Sequence, residues 1–146
     1  MSITILRHCQ SRANVGEHNE VDSQLTPYGI DQAKDLKSLT TNYDLVICSP
    51  LRRTRQTLEF SEIKYKELLV TELCRERIIG VSDTMEGESL IVETDESFWR
   101  RFYTFKELIY NKRNNGLHVL VVSHAYFVSP LPGCYGIKNG QMIILP

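Results

Sequence analysis

An α/β fold, with a largely parallel central sheet sandwiched between helices in three α/β/α layers, is the class this sequence predicts. Three observations point there. Short apolar runs of strand type alternate with helical stretches along the chain. The central runs, Asp44 to Cys48 and Leu117 to Val122, are apolar almost throughout, as strands covered on both faces must be. Helix-start signals follow the runs: Thr26-Pro27 and Ser49-Pro50 each place a capping hydroxyl before a proline suited to the first helical position.

The elements follow in order. Ser2 to Leu6 reads as a first strand. The helix opened by Thr26 and Pro27 carries Ile30, Ala33, Leu36 and Leu39 as an apolar stripe. Asp44 to Cys48 is the second strand, Leu51 to Phe60 the next helix, and Glu67 to Thr71 a third strand. From Ile78 to Trp99 there is no Lys or Arg, while Asp83, Glu86, Glu88, Glu93, Asp95 and Glu96 fall there; its first part reads as loop. Asp95 to Lys112 then aligns Phe98, Phe102, Phe105 and Ile109 on one helical face. Leu117 to Val122 and Gln141 to Leu145 are the last strands.

Composition narrows the function. At 146 residues and 42% apolar, the chain is sized for one packed core, and residues 1–146 are expected to form a single domain. A formal net charge of −1 argues against a nucleic-acid partner. No apolar run reaches the ~20 residues of a membrane helix, and Ile3 to Leu6 is too short for a signal-peptide core. Cys9, Cys48, Cys74 and Cys134 form no Cys-x-x-Cys pair, so free thiols in the reducing cytoplasm are expected rather than a zinc site. Oligomeric state is not written in the sequence.

Function in a parallel sheet sits at the carboxyl ends of the strands. Arg7 and His8 follow the first, Ser49 with Arg52, Arg53 and Arg55 the second, Arg75, Glu76 and Arg77 the third, and Ser123 and His124 the fourth. Arginine forks fit phosphoryl oxygens. An imidazole kept neutral by nearby arginines is a nucleophile, a second His donates hydrogen bonds as charge shifts, and a Glu protonates the leaving oxygen. The set describes metal-free phosphoryl transfer through a phosphohistidine. Other phosphate chemistries fail: there is no P-loop, no Asp-x-Asp, no Cys-x5-Arg and no Gly-x-Ser-x-Gly.

In five blocks the chain resembles the histidine phosphatase superfamily, the phosphoglycerate mutase-like enzymes. They are Leu6-Arg7-His8-Cys9-Gln10-Ser11 with Asn14; Leu25-Thr26-Pro27-Tyr28-Gly29-Ile30-Asp31-Gln32-Ala33; Ser49-Pro50-Leu51-Arg52-Arg53-Thr54-Arg55-Gln56-Thr57; Leu73 to Gly80 around Glu76; and Val122-Ser123-His124. The resemblance implies a phosphoglycerate mutase-like fold without a cap insertion. It also implies His8 as phosphorylated nucleophile, Glu76 as proton donor, and Arg7, Arg53 and His124 as catalytic residues of the phosphate pocket. Asn14 would be a further substrate contact. No cofactor and no metal are implied. The expected function is phosphomonoester hydrolysis on a small phosphorylated substrate or a phosphopeptide, with neither nucleic acid nor membrane as partner. The alternatives are a phosphoglycerate-type mutase and a non-catalytic module that binds phosphorylated ligands.

Three departures stand out. Cys9 replaces the family glycine after the nucleophile, and its side chain is expected to be a small buried hydrophobe. One extra residue precedes Glu76. Ala125-Tyr126-Phe127 stand where glycines often follow the second His, with Phe127 expected in packing. Arg52 and Arg55 are expected on the helix surface, and His18 and His118 in structural or solvent-facing places. Only about twenty residues separate Glu76 from the helix at Asp95, so the site should be open, with Asp83, Glu86 and Glu88 as an acidic rim that disfavours a second phosphate.

Overall fold

The computed structural model describes residues 1–39 and 42–146, with the backbone alone at 38 and 39. It contains strands β1 (Ser2–Arg7), β2 (Tyr43–Cys48), β3 (Tyr65–Val70), β4 (His118–Ser123) and β5 (Met142–Ile144). The helices are α1 (Pro27–Asp35), α2 (Arg52–Ser61), α3 (Asp95–Asn114) and the short α4 (Ala125–Val128). The five strands form one sheet in the order β3-β2-β4-β1-β5. All pairs are parallel except β5 against β1. The expected α/β/α layering is what the chain adopts.

Alternation along the strands sets the layers. Ile3, Ile5, Leu45, Ile47, Val119 and Val121 share one buried cluster with Phe98, Phe102, Phe105 and Ile109 of α3 and Phe127 of α4. Leu6, Val46, Cys48, Leu120 and Val122 point the other way, to Ala33 of α1, to Leu36 just after it and to Leu58 of α2. This two-residue period assigns each side chain to one face of the pleat. β3 is the outer strand and is exposed along its length. Among the described residues no helix is long and apolar enough to cross a membrane.

The helix starts match the sequence in one case and correct it in the other. At α1 the Thr26 hydroxyl accepts from the Gly29 N–H at 3.0 Å, and Pro27 is the first helical residue. The stripe ends in a 3-10 turn, Leu36–Leu39, and the side chain of Leu39 lies outside the described residues. At α2 the helix begins at Arg52 behind Leu51, with no side-chain cap, so Ser49-Pro50 is not its cap-and-proline start. The Ser49 oxygen accepts from the Leu51 N–H at 3.3 Å, ahead of the helix, and lies 2.8 Å from His124 Nε2. All four cysteines are free and buried, as expected.

Gly29 is where α1 touches the loop that follows β1. A Cβ added there would stand 2.0 Å from the Gln10 carbonyl oxygen. The same loop is held by Thr26 N–H to the Gln10 carbonyl, 3.0 Å, and by Gln10 N–H to Gln32 Oε1, 2.9 Å. Gly29→Ala should therefore push backbone against backbone and lower stability by about 1–3 kcal/mol, read as a reduced urea midpoint with an unchanged slope. An unchanged midpoint would mean the helix can back away from the loop without cost.

Candidate active site

The backbone brings the candidate residues together before their side chains interact. His8 N–H continues the β1–β4 ladder to the Ser123 carbonyl at 3.0 Å, and Ser49 N–H does the same from β2 to Val122 at 3.1 Å. His8 and His124 thereby leave the sheet side by side, with ring centroids 5.2 Å apart. They are 3% and 0% exposed.

The hydrogen bonds assign the protons. His8 Nδ1 lies 2.7 Å from the Cys9 carbonyl, which can only accept, so Nδ1 carries the hydrogen and Nε2 keeps its lone pair. His124 Nε2 lies 2.8 Å from Ser49 Oγ, which also accepts from the Leu51 N–H at 3.3 Å. His124 Nδ1 is buried without a partner, and in the tautomer where Ser49 donates to Nε2 it is this atom that carries the ring hydrogen. Burial, with the charges of Arg53 and Arg7 nearby, holds both histidines well below their ordinary pKa. Both rings are neutral at pH 7.

Arg7 and Arg53 flank this pair. Arg7 donates through Nη1 to the Ile137 carbonyl at 3.0 Å, while its buried Nε has no partner. Arg53 is 4% exposed on the first turn of α2, and its charge acts on both imidazoles. Unpartnered buried N–H groups are costly in the absence of an acceptor. Arg7 Nε is such a donor, and His124 Nδ1 is a second in the tautomer where Ser49 donates to Nε2, an arrangement that a phosphoryl dianion would satisfy.

Glu76 adjoins Arg53 and Arg7 electrostatically. Its Oε1 accepts from the Arg77 N–H at 3.0 Å and the Phe127 N–H at 2.9 Å, and Oε2 from the Tyr126 N–H at 3.2 Å. Burial nonetheless dominates and raises its pKa above 4.5, the direction a proton donor needs. Asn14 is linked to the His8 carbonyl through Asn139 Nδ2, which donates to both. It is exposed, and its Oδ1 accepts from Ser11 N–H and Oγ at 2.9 Å and from Asn139 Nδ2 at 3.1 Å. Only its amide N–H side remains for a substrate.

Sequence reasoning missed the residues that carry the loop after His8. Thr57 Oγ1 accepts the Cys9 N–H at 2.9 Å, Gln56 Oε1 the Leu25 N–H at 2.8 Å, and Asn139 Nδ2 donates to the His8 carbonyl at 3.1 Å. The first two lie in quoted motif blocks, and the Asn139-Gly140 turn pair was the available signal for the third. Cys9 itself is buried in the apolar cluster shared by Leu6 and Leu25, and burial pushes its thiol up to about 11.

The acidic rim is corrected. Asp83 and Glu88 are ion-paired, Asp83 Oδ1 with Arg53 Nη2 at 2.9 Å and Glu88 with both terminal nitrogens of Arg75. Glu93 pairs with Arg101, and Asp95 with Arg77. Arginines from outside the segment supply its counter-charge. Arg75 and Arg77 thus hold this segment rather than the phosphate pocket. Arg52, Arg55, His18 and His118 are exposed, and Phe127 is fully buried, as expected. Tyr126 is half-exposed, and its hydroxyl accepts from Arg77 Nη1 at 3.1 Å.

Residues 3–107 match the family model described as histidine phosphatase superfamily (branch 1). A Schizosaccharomyces pombe protein named as a probable phosphatase is 26% identical over 151 residues, covering 85% of this chain. The chain spans about half, 52%, of that relative's length. Among solved structures, an alpha-ribazole phosphatase from Shigella flexneri superposes with a TM-score of 0.73 at 19% identity, covering 99% of this chain and 89% of the other. A phosphoserine phosphatase from Entamoeba histolytica gives 0.71 at 16%, covering 98% and 89%. A phosphoglycerate mutase from Thermus thermophilus gives 0.68 at 20%, covering 99% and 92%.

The neutral histidines make a prediction about stability. Their folded pKa values lie below the unfolded value of 6.5, so the unfolded chain binds more protons once pH drops past that point. Stability is held above 6.5 and lost as pH falls from there toward the folded values. Each histidine can remove up to roughly 1.4 kcal/mol per pH unit across that window. The melting temperature should fall between about pH 7 and about pH 5.5, and His124→Asn should fall less. An identical slope in the variant would mean that His124 is not the titrating group.

Proposed function

The chain belongs to the histidine phosphatase superfamily, and from that premise we propose that it hydrolyses phosphomonoesters through a phosphohistidine on His8. The observation that carries the reading is the His8 tautomer. With Nδ1 committed to the Cys9 carbonyl, Nε2 is the nucleophile, held neutral beside two arginines. In the first step His8 Nε2 forms the N–P bond as the ester P–O bond breaks. Glu76 gives its proton to the departing oxygen. In the second, Glu76 takes a proton from water, whose oxygen attacks phosphorus and releases His8 and inorganic phosphate. Arg7, Arg53 and His124 Nδ1 stabilise the equatorial oxygens in both.

The positive charge at the site is supplied by Arg7 and Arg53, which supports a reaction without a metal ion. A small phosphorylated molecule or a phosphopeptide is the proposed substrate, with no nucleic acid or membrane involved. Four unpaired thiols support a cytoplasmic location.

Rapid quenching with labelled phenyl phosphate ester, in the presence of chelator, should give an acid-labile, base-stable adduct that His8→Ala abolishes together with turnover. Turnover by His8→Ala, or loss of activity in chelator that a divalent ion restores, would overturn the mechanism. Glu76→Gln should slow an alkyl phosphate by roughly 10²–10⁴-fold and nitrophenyl phosphate far less, because only the basic leaving oxygen needs the proton. Equal losses on both substrates would assign the acid elsewhere.

A further inference from the structure

We infer that Asp83 is a positioning residue for Arg53: its carboxylate, together with the Ser82 carbonyl, fixes the orientation in which the guanidinium meets the phosphoryl group. The inference deepens the hydrolase reading and rests on Arg53 being a phosphate ligand.

Arg53 is a long, flexible side chain in a nearly closed place, and two of its nitrogens are already held. Nη1 donates to the Ser82 carbonyl and Nη2 to Asp83 Oδ1, each at 2.9 Å. The pair is well buried, with the Arg53 side chain 5% and the Asp83 side chain 13% exposed. Asp83 is itself fixed at its other oxygen, where Oδ2 accepts from the Ile79 N–H at 3.1 Å and the Gly80 N–H at 3.2 Å. Two further bonds fix the backbone of this turn: Ser23 N–H to the Ser82 carbonyl, 3.3 Å, and Arg75 Nη2 to the Asp83 carbonyl, 2.8 Å.

The turn therefore grips the guanidinium through both terminal nitrogens, and Nε–H and the second hydrogen of each terminal nitrogen lie outside these two bonds. A guanidinium is planar, so clamping two nitrogens sets the direction of the others. One turn on from Arg53, Thr57 Oγ1 donates to the Arg53 carbonyl at 2.7 Å and accepts the Cys9 N–H at 2.9 Å, which ties this turn of α2 to the residue after His8. Pre-orientation of this kind removes the need to order a flexible arginine when the phosphoryl group arrives.

The sign of the effect separates this role from a competing one. A carboxylate beside a phosphate site repels the dianion, so if Asp83 acted only through its charge, or competed for Arg53, neutralising it would tighten phosphate binding. If it orients Arg53, neutralising it weakens binding even though the repulsion is relieved.

Inorganic phosphate is titrated calorimetrically into the wild type, Asp83→Asn, Arg53→Ala and the double variant, and KM and kcat are measured on nitrophenyl phosphate. Asp83→Asn should weaken phosphate binding roughly tenfold and raise KM in step, and in the Arg53→Ala background the same change should have less than about a twofold effect. Unchanged or tighter binding in Asp83→Asn, or an equal loss without Arg53, would overturn the inference. Asp83→Glu, which keeps the charge but displaces it by a methylene, is read the same way and stands in if Asp83→Asn does not fold. Binding without turnover by the wild type would overturn the hydrolase reading alone. Absence of phosphate binding by the wild type would overturn both.

Discussion

The hydrogen bond from the His8 N–H to the Ser123 carbonyl, 3.0 Å long, is the constraint on which the site depends. It extends the β1–β4 ladder one residue past the strand and fixes the point at which the chain leaves the sheet. β4 is flanked by β1 and β2, so its end lies next to both. Register then decides the chemistry. A slip of one residue between β1 and β4 would turn His8 to the opposite face and exchange the two apolar clusters. Burial of Ile3, Ile5, Leu6 and their partners on both faces thus specifies where an imidazole stands.

The second determinant is electrostatic. The pocket concentrates arginines in a desolvated place, where unpaired positive charge is unfavourable. The segment after Glu76, which beyond Arg77 has no Lys or Arg until Arg100, answers that charge through Asp83 on Arg53, while Glu88, Glu93 and Asp95 pair with Arg75, Arg101 and Arg77 outside the pocket. Breaking a buried pair by removing one partner typically costs about 3–5 kcal/mol, so the more buried of these contacts determine where the segment lies. A stretch without strand or long helix is held as a wall by ionic contacts where an apolar face would otherwise be needed.

The legible part of the fold was the part written in periodicity. The strands, the Phe98–Ile109 stripe of α3 and the Thr26 cap all follow from spacing that any segment of that kind must obey. Position beyond the strand ends gathered His8, Arg7, Arg53, Glu76 and His124 among their neighbours, and the family resemblance singled these five out. Pairings between distant polar side chains were not. Ser49 carried a capping signal, but the helix begins three residues later, and its contact with His124, 75 positions away, has no trace in the local sequence. Asp83 read as rim because an acidic loop and an arginine clamp have the same composition. Thr57 and Gln56 sat in recognised blocks, but their work on the Cys9 and Leu25 N–H groups becomes visible only when helix and loop are brought together.

The four buried cysteines carry a consequence for how such a chemistry withstands oxidants. Burial pushes the Cys9 and Cys134 thiols up to about 11 and Cys48 up to about 12, and raises Cys74 as well. Thiolate, the form that reacts with peroxides and alkylating reagents, is therefore scarce in the folded chain. The nucleophile assigned to the reaction is a nitrogen, which has no comparable oxidation ladder at neutral pH. Sulfur chemistry on this molecule then reports how often it opens rather than how fast it turns over, and each thiol serves as a clock for the unfolding of the layer around it.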